Sequence, residues 1–421
     1  MPFPDKRSDP RAEGGLQTGR TVQNQGALDG LAFLVAAMLT AFGPFVSLYL
    51  GNEGWGPAHV GATLGIGAVM SAMVQVPGGM LVDALRTKRA IAAAGIVGAA
   101  ISALLLSTWP AHWPVVIALA LLAGSAGVLG PVIAALSLLA VDRDHLGLRF
   151  GRNARYASLG SGAAAAALGV LGSAVSARAI FLSSAVLSIP ALIMLHQLNP
   201  VASLKHGATA SGEDSPTPVK VLLRDRRLMK LAAVITCFHV ANAAMLPIAA
   251  GEAVKNAPGA ATILIAAGVL ISQLVPVVLA PRTGLKAEQF GRRPLLLIAF
   301  ICLSVRGVLL AFVHSPYLFP FIQIFDGAAA AILGVLLPLL VADLTRTTGR
   351  FNLCLALLGM AAGLGASLST TFAGFITERL DHSAAFMFLA LIGLLGTILV
   401  WWIIPESRHA AAEPGERNAT A

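Results

Sequence analysis

The chain has 421 residues, 57% of them hydrophobic and 12% charged, with a mean hydropathy of +0.80 and a net charge of +9. A water-soluble domain could carry that composition only by exposing a very large apolar surface, so a polytopic membrane protein is expected. No GxxxxGK[ST], GxSxG or HExxH sequence occurs, which argues against ATP-driven transport by this chain alone and against a membrane enzyme.

Residues 1–26 are polar and charged with no early apolar region or cleavage pattern, and read as a flexible N-terminal tail without a removable signal peptide. Crossing about 30 Å of hydrocarbon takes roughly 20 apolar residues. Twelve such stretches follow, near 27–50, 58–80, 90–109, 113–140, 153–175, 178–196, 229–250, 260–280, 294–313, 318–342, 350–376 and 383–404. The long polar interior segment 197–228 contains Gly-Glu-Asp-Ser-Pro-Thr-Pro and ends in Arg224-Asp225-Arg226-Arg227, the composition of a linker whose basic end rests at lipid headgroups. It separates an N-terminal six-helix bundle, 27–196, from a C-terminal one, 229–404, and a second tail covers 405–421. Cys237, Cys302 and Cys354 fall inside spans at unrelated spacings and predict packing rather than a disulfide or a metal site.

Basic residues orient the chain. With the N-terminus inside, inner loops and tails hold 25 of the 29 Lys and Arg, outer loops hold Arg178, Lys255 and Arg379, and Arg306 lies within a span. This asymmetry predicts cytoplasmic N- and C-termini in a cell inner membrane, and it accounts for the positive charge without nucleic acid as a partner.

Two inner segments share one frame: Gly79-Met-Leu-Val-Asp83-Ala-Leu-Arg86-Thr-Lys88-Arg89 after span two, and Gly284-Leu-Lys-Ala-Glu288-Gln-Phe-Gly291-Arg292-Arg293-Pro294 after span eight. The two leading glycines stand 205 residues apart, about half the chain, as in an internal repeat. Prolines echo it: Pro44, Pro77 and Pro131 in spans one, two and four against Pro247, Pro276 and Pro338 in spans seven, eight and ten. Each removes a backbone hydrogen bond, so matching bends are expected. Gly151-Arg152-Asn153 and Gly349-Arg350-Phe351-Asn352, opening spans five and eleven, extend the pattern.

Together these features resemble the major facilitator superfamily over about residues 27–405. The resemblance implies an all-α polytopic fold, with twelve transmembrane helices in two pseudo-symmetric six-helix halves, working as a secondary transporter by alternating access. Measured against the family pattern, Glu288 stands in place of Asp, Ala84 in place of a basic residue and Arg86 in place of glycine. The resemblance also implies that Gly79, Asp83, Lys88, Arg89, Gly284, Glu288, Gly291, Arg292 and Arg293 gate the inner side. Physically, an acid at the inner end of a span can accept hydrogen bonds from a helix N-terminus across the interface between halves. Solvated loop charges are the plainer alternative.

Ionisable residues inside a membrane cost about 2.5–3.5 kcal/mol and mark functional candidates. Here they are Asp326 in span ten, Arg306 in span nine and His239 in span seven, while Asp29 lies close to the inner end of span one. At about 1.5 Å per residue, Arg306 and Asp326 reach the same depth and can pair. Gln323 stands one turn from Asp326, and Asn242 one turn from His239. The family architecture would place spans seven and ten against a central cavity, where Asp326, Gln323, His239 and Asn242 could form a substrate and proton site. It would leave span nine peripheral, so a structural Arg306–Asp326 pair is the alternative.

No cofactor or metal is required, and the expected partners are a small-molecule substrate, protons and the lipid bilayer around a monomeric chain. A carboxylate, an imidazole and a few amides in an apolar cavity favour proton-coupled export of a modestly polar organic solute. Family antiporters, however, often carry a Gly-Pro signature in span five, where this chain has Gly169-Val170-Leu171-Gly172. Proton-symport uptake of a metabolite or metal chelate is the alternative, and a transport-inactive receptor or assembly factor the third reading.

Overall fold

The computed structural model describes residues 10–42, 44–85, 87–198, 219–257, 260–346 and 348–404. Tail residues 1–9 and 405–421, linker residues 199–218 and Arg86 lie outside the described residues. Span one consists of two helices, Pro10–Thr40 and Pro44–Asn52; spans two to six are Pro57–Ala84, Lys88–Thr108, His112–Ala140, Leu146–Ala174 and Ala177–Gln197. A short helix, Val219–Leu222, precedes span seven, which is Arg226–Asn242 followed by Met245–Asn256. Spans eight to twelve are Ala261–Phe290, Arg293–Phe312, Phe319–Leu344, Phe351–Arg379 and His382–Ile403.

Among the described residues, ten spans are long and apolar enough to cross a membrane. The other two are span one, whose long helix starts in the polar segment at Pro10, and span five, which carries Arg149, Arg152 and Arg155. Helix starts follow local chemistry: Ser176, Asp225 and Asp381 accept the amides of Ala179, Arg227 and Ala384 at 3.2, 2.7 and 2.6 Å. Pro57 and Pro294 stand in first turns, where a missing N–H costs nothing.

Several boundaries differ from the sequence expectation. The first helix begins at Pro10, so residues 10–26 extend span one instead of forming an irregular tail. Spans two and eight continue past the predicted ends, which puts Asp83 and Glu288 on helices rather than in loops. Span five begins at Leu146 instead of 153. Of the echoed prolines, Pro44 and Pro247 accompany breaks. The helix of span one ends at Thr40, four residues before Pro44, and span seven breaks at Ala243–Ala244, four and three residues before Pro247. These are the positions whose carbonyls lose a partner or meet the ring. Pro77, Pro131, Pro276 and Pro338 lie within continuous helices. Counted back from the acids, Pro77 matches Pro281 in depth more closely than Pro276.

Both halves pair their helices alike. Spans one with five and six, two with four, and three with four and six correspond to seven with eleven and twelve, eight with ten, and nine with ten and twelve. Between halves, span five packs on span eight and span two on span eleven. Where the basic loops lie, hereafter the basic face, the halves share one core, in which Ala134, Leu146 and Phe150 join Ala280, Ala287 and Leu333. Toward the opposite face each half closes its own core, around Tyr49, Leu106 and Phe181 in one and Met245, Leu310 and Phe386 in the other. Exposed Trp109 and Trp113 near the opposite face, and Trp401 and Trp402 at the basic face, suit two interfacial aromatic belts.

Candidate functional site

At the basic face the halves are joined by two related contacts. Asp83, on the last turn of span two, accepts the backbone amides of Asn352 and Leu353 at 3.0 and 2.9 Å and the Asn352 side-chain amide at 2.8 Å. Glu288, on the last turn of span eight, accepts the amides of Gly147 and Leu148 at 2.7 and 3.3 Å. Each acid thus satisfies first-turn amides of a helix in the other half, which have no intrahelical partner and carry the positive end of the helix dipole. The glycines permit this approach. A Cβ on Gly79 would lie 2.5 Å from the Asn352 carbonyl oxygen, and one on Gly284 would collide with that of Gly147.

The neighbouring cations divide into two roles. Lys88 donates to the Val82 carbonyl and Arg292 to that of Ala287 at 2.6 Å, in each case the carbonyl just before the acid. Arg292 also pairs with Asp343 of span ten at 3.3 Å. Gly291 ends span eight at φ +89°, a left-handed conformation suited to glycine. Arg89 and Arg293, also expected in the gate, turn away from the acids toward the last spans of their halves. Arg89 reaches the His196 carbonyl at 2.9 Å, and Arg293 the Trp401 carbonyl at 2.5 Å while lying 4.4 Å over the Trp401 ring. They pin span three to six and span nine to twelve.

Deep in the C-terminal half, Arg306 gathers three of the residues singled out from sequence. Its guanidinium donates to Asp326 at 2.8 Å, to Gln323 at 2.7 Å and to Asn242. Arg306 is 1% exposed and Gln323 fully buried, so Arg306 points into the bundle and not toward the periphery. Ser272 of span eight, not anticipated from sequence, donates to the other Asp326 oxygen at 2.9 Å. Asn242 is the last residue before the break in span seven. His239 stays outside this network: its Nδ1 faces the Ile235 carbonyl at 2.9 Å and its ring leans on Phe238. A carbonyl only accepts, so Nδ1 is the protonated nitrogen. Four helices therefore meet at a charge-neutral pair whose carboxylate is fully engaged. Among the described residues no cluster of His, Cys, Asp and Glu is suited to a metal.

The N-terminal half holds a buried ionic cluster that sequence reasoning passed over, formed by Asp29, Arg149 and Arg152. Its signal was Arg149, Arg152 and Asn153 at helical spacing. A span five starting at 153 leaves Arg149 outside the helix that carries it.

A family profile described as Major Facilitator Superfamily matches residues 28–280 and 232–420. An uncharacterized MFS-type transporter of Mycobacterium tuberculosis is 32% identical over 388 residues, covering 90% of this chain and 93% of the relative. The class B tetracycline resistance protein of Escherichia coli is 30% identical over 144 residues, 34% of this chain and 35% of that protein. Among solved structures, the E. coli fucose:proton symporter FucP in the outward conformation superimposes with a TM-score of 0.69 at 14% identity, covering 92% of this chain and all of that one.

Proposed function

The chain belongs to the Major Facilitator Superfamily and is a secondary transporter, and from that we propose that it exports a small, modestly polar organic solute by proton-coupled alternating access. The basic face is cytoplasmic in a cell inner membrane, and the state described is the one closed to the cytoplasm. Asp83 and Glu288 are the latches of that closure, gripping spans eleven and five.

The observation that carries this reading is the Arg306–Asp326 pair, held by Gln323, Asn242 and Ser272. A neutral pair offers no surplus cation to a multiply anionic solute, whose desolvated charge would need one. A proton arriving at Asp326 competes with Arg306, and freed donors can then engage the solute. His239, half-buried on the helix that ends in Asn242, is a second group whose imidazole can bind and release a proton. The likeness over 144 residues to a protein named for tetracycline resistance, a trait that removal of the compound from the cell would produce, supports the outward direction.

Purified protein in proteoliposomes with an imposed pH gradient tests the reading, with tetracycline and L-fucose as first probes. Gradient-dependent movement of the amphipathic compound against the proton flow is expected. Fucose moving with protons, and accumulating in intact cells, favours uptake instead; flux of both compounds unaffected by the gradient overturns proton coupling.

A further inference from the structure

The amides that Glu288 grips belong to the first turn of span five, and that turn is anchored from behind. Arg149, 2% exposed, pairs with Asp29 of span one, donates to the Gln25 carbonyl at 3.3 Å and reaches Asn153 at 2.7 and 3.1 Å. Arg152 takes the other Asp29 oxygen and donates to the Gln25 side chain at 2.9 Å, while Asn153 donates to Ser137 of span four at 2.7 Å. Around this helix, Gly147, Leu148 and Gly151 face span eight, and a Cβ on Gly151 would lie 2.6 Å from the Ala280 carbonyl oxygen. Arg149, Arg152 and Asn153 face spans one and four.

We propose that Asp29, Arg149 and Arg152 are positioning residues for the Glu288 latch, fixing the first turn of span five so that its amides stay where the carboxylate needs them. The proposal rests on the reading of Glu288 as a latch. Helix first turns fray because their amides lack intrahelical partners, so a latch that grips only such amides is as firm as their anchorage. Buried charges bound on several sides supply a rigid anchor that single surface pairs do not. The other latch lacks this cluster at the equivalent places. At the positions 205 residues on from Asp29, Arg149, Arg152 and Asn153 stand Val234, Cys354, Leu357 and Leu358, which pack in the shared apolar core. The cluster should therefore act on one latch and not on the other.

The test is a double-mutant cycle on the conformational equilibrium, with spin labels at exposed Asp144→Cys and Lys286→Cys reporting the distance across the basic face. Asp29→Asn should raise the open population about tenfold. It should add little on a Glu288→Gln background and its full effect on an Asp83→Asn background. Equal effects on both backgrounds, or no shift from Asp29→Asn while Glu288→Gln alone opens the face, overturn the proposal. A silent Glu288→Gln instead removes the latch reading, and the proposal with it. Arg152→Gln, whose guanidinium is one-third exposed, repeats the cycle should Asp29→Asn fail to fold.

Discussion

The two halves pair their helices alike yet bury charge at opposite depths. Where the C-terminal half sets Arg306 against Gln323 and Asp326, the corresponding stretch of the N-terminal half has the neutral Ser102 donating to the Ala118 carbonyl at 2.7 Å. Near the basic face the order is reversed: Asp29, Arg149 and Arg152 in the N-terminal half answer to Val234, Cys354 and Leu357 in the other. A repeat thus keeps its backbone packing while its ionic chemistry moves. The ions of the C-terminal half lie deep among spans seven to ten, and those of the N-terminal half lie behind the turn whose amides Glu288 accepts.

The sharpest way to break this comparison is to remove one charge from the deep pair. Arg306→Met leaves a desolvated carboxylate and should cost about 3–5 kcal/mol in thermal unfolding, with loss of flux. Its N-terminal counterpart, Ser102→Ala, should cost about 1 kcal/mol and leave flux intact; equal costs would erase the distinction. Next, Asp83→Asn weakens charge-assisted bonds to span eleven by about 1.5–3 kcal/mol. Transport should slow while equilibrium substrate binding stays unchanged, and an unchanged rate in vesicles would count against a latch. The smallest effect is steric. Gly284→Ala must push span eight from the Gly147 carbonyl at about 1–3 kcal/mol, whereas Gly61→Ala, with no neighbour within 4 Å, should be silent in the same spin-label distances.

Much of this architecture was legible in the residues, and the exceptions have physical causes. Long apolar runs marked the spans because lipid demands them. The repeated glycine-to-acid spacing pointed to helix-end acids because close backbone approach and amide capture need those residue types. Depth counting along spans nine and ten brought Arg306 to Asp326, and one-turn spacing added Gln323. The polarity scale fails where a helix begins inside a charged segment, so an apolar run starting at 153 leaves out the first turns of span five and Arg149 with them. It also cannot tell which face His239 presents: three residues from Asn242, it turns to its own backbone and Phe238 instead of to Arg306. Arg89 and Arg293 share the gate's sequence frame but bind carbonyls at the ends of spans six and twelve, a contact no linear pattern records.

The central claim, that the deep pair of the C-terminal half couples protons to solute, is tested most directly by Asp326→Asn in everted vesicles, using a compound that the wild type moves under an imposed pH gradient. Gradient-driven accumulation should vanish while exchange of the solute across the membrane without a gradient persists. Undiminished gradient-driven accumulation would contradict the account and leave Arg306 and Asp326 as a structural pair.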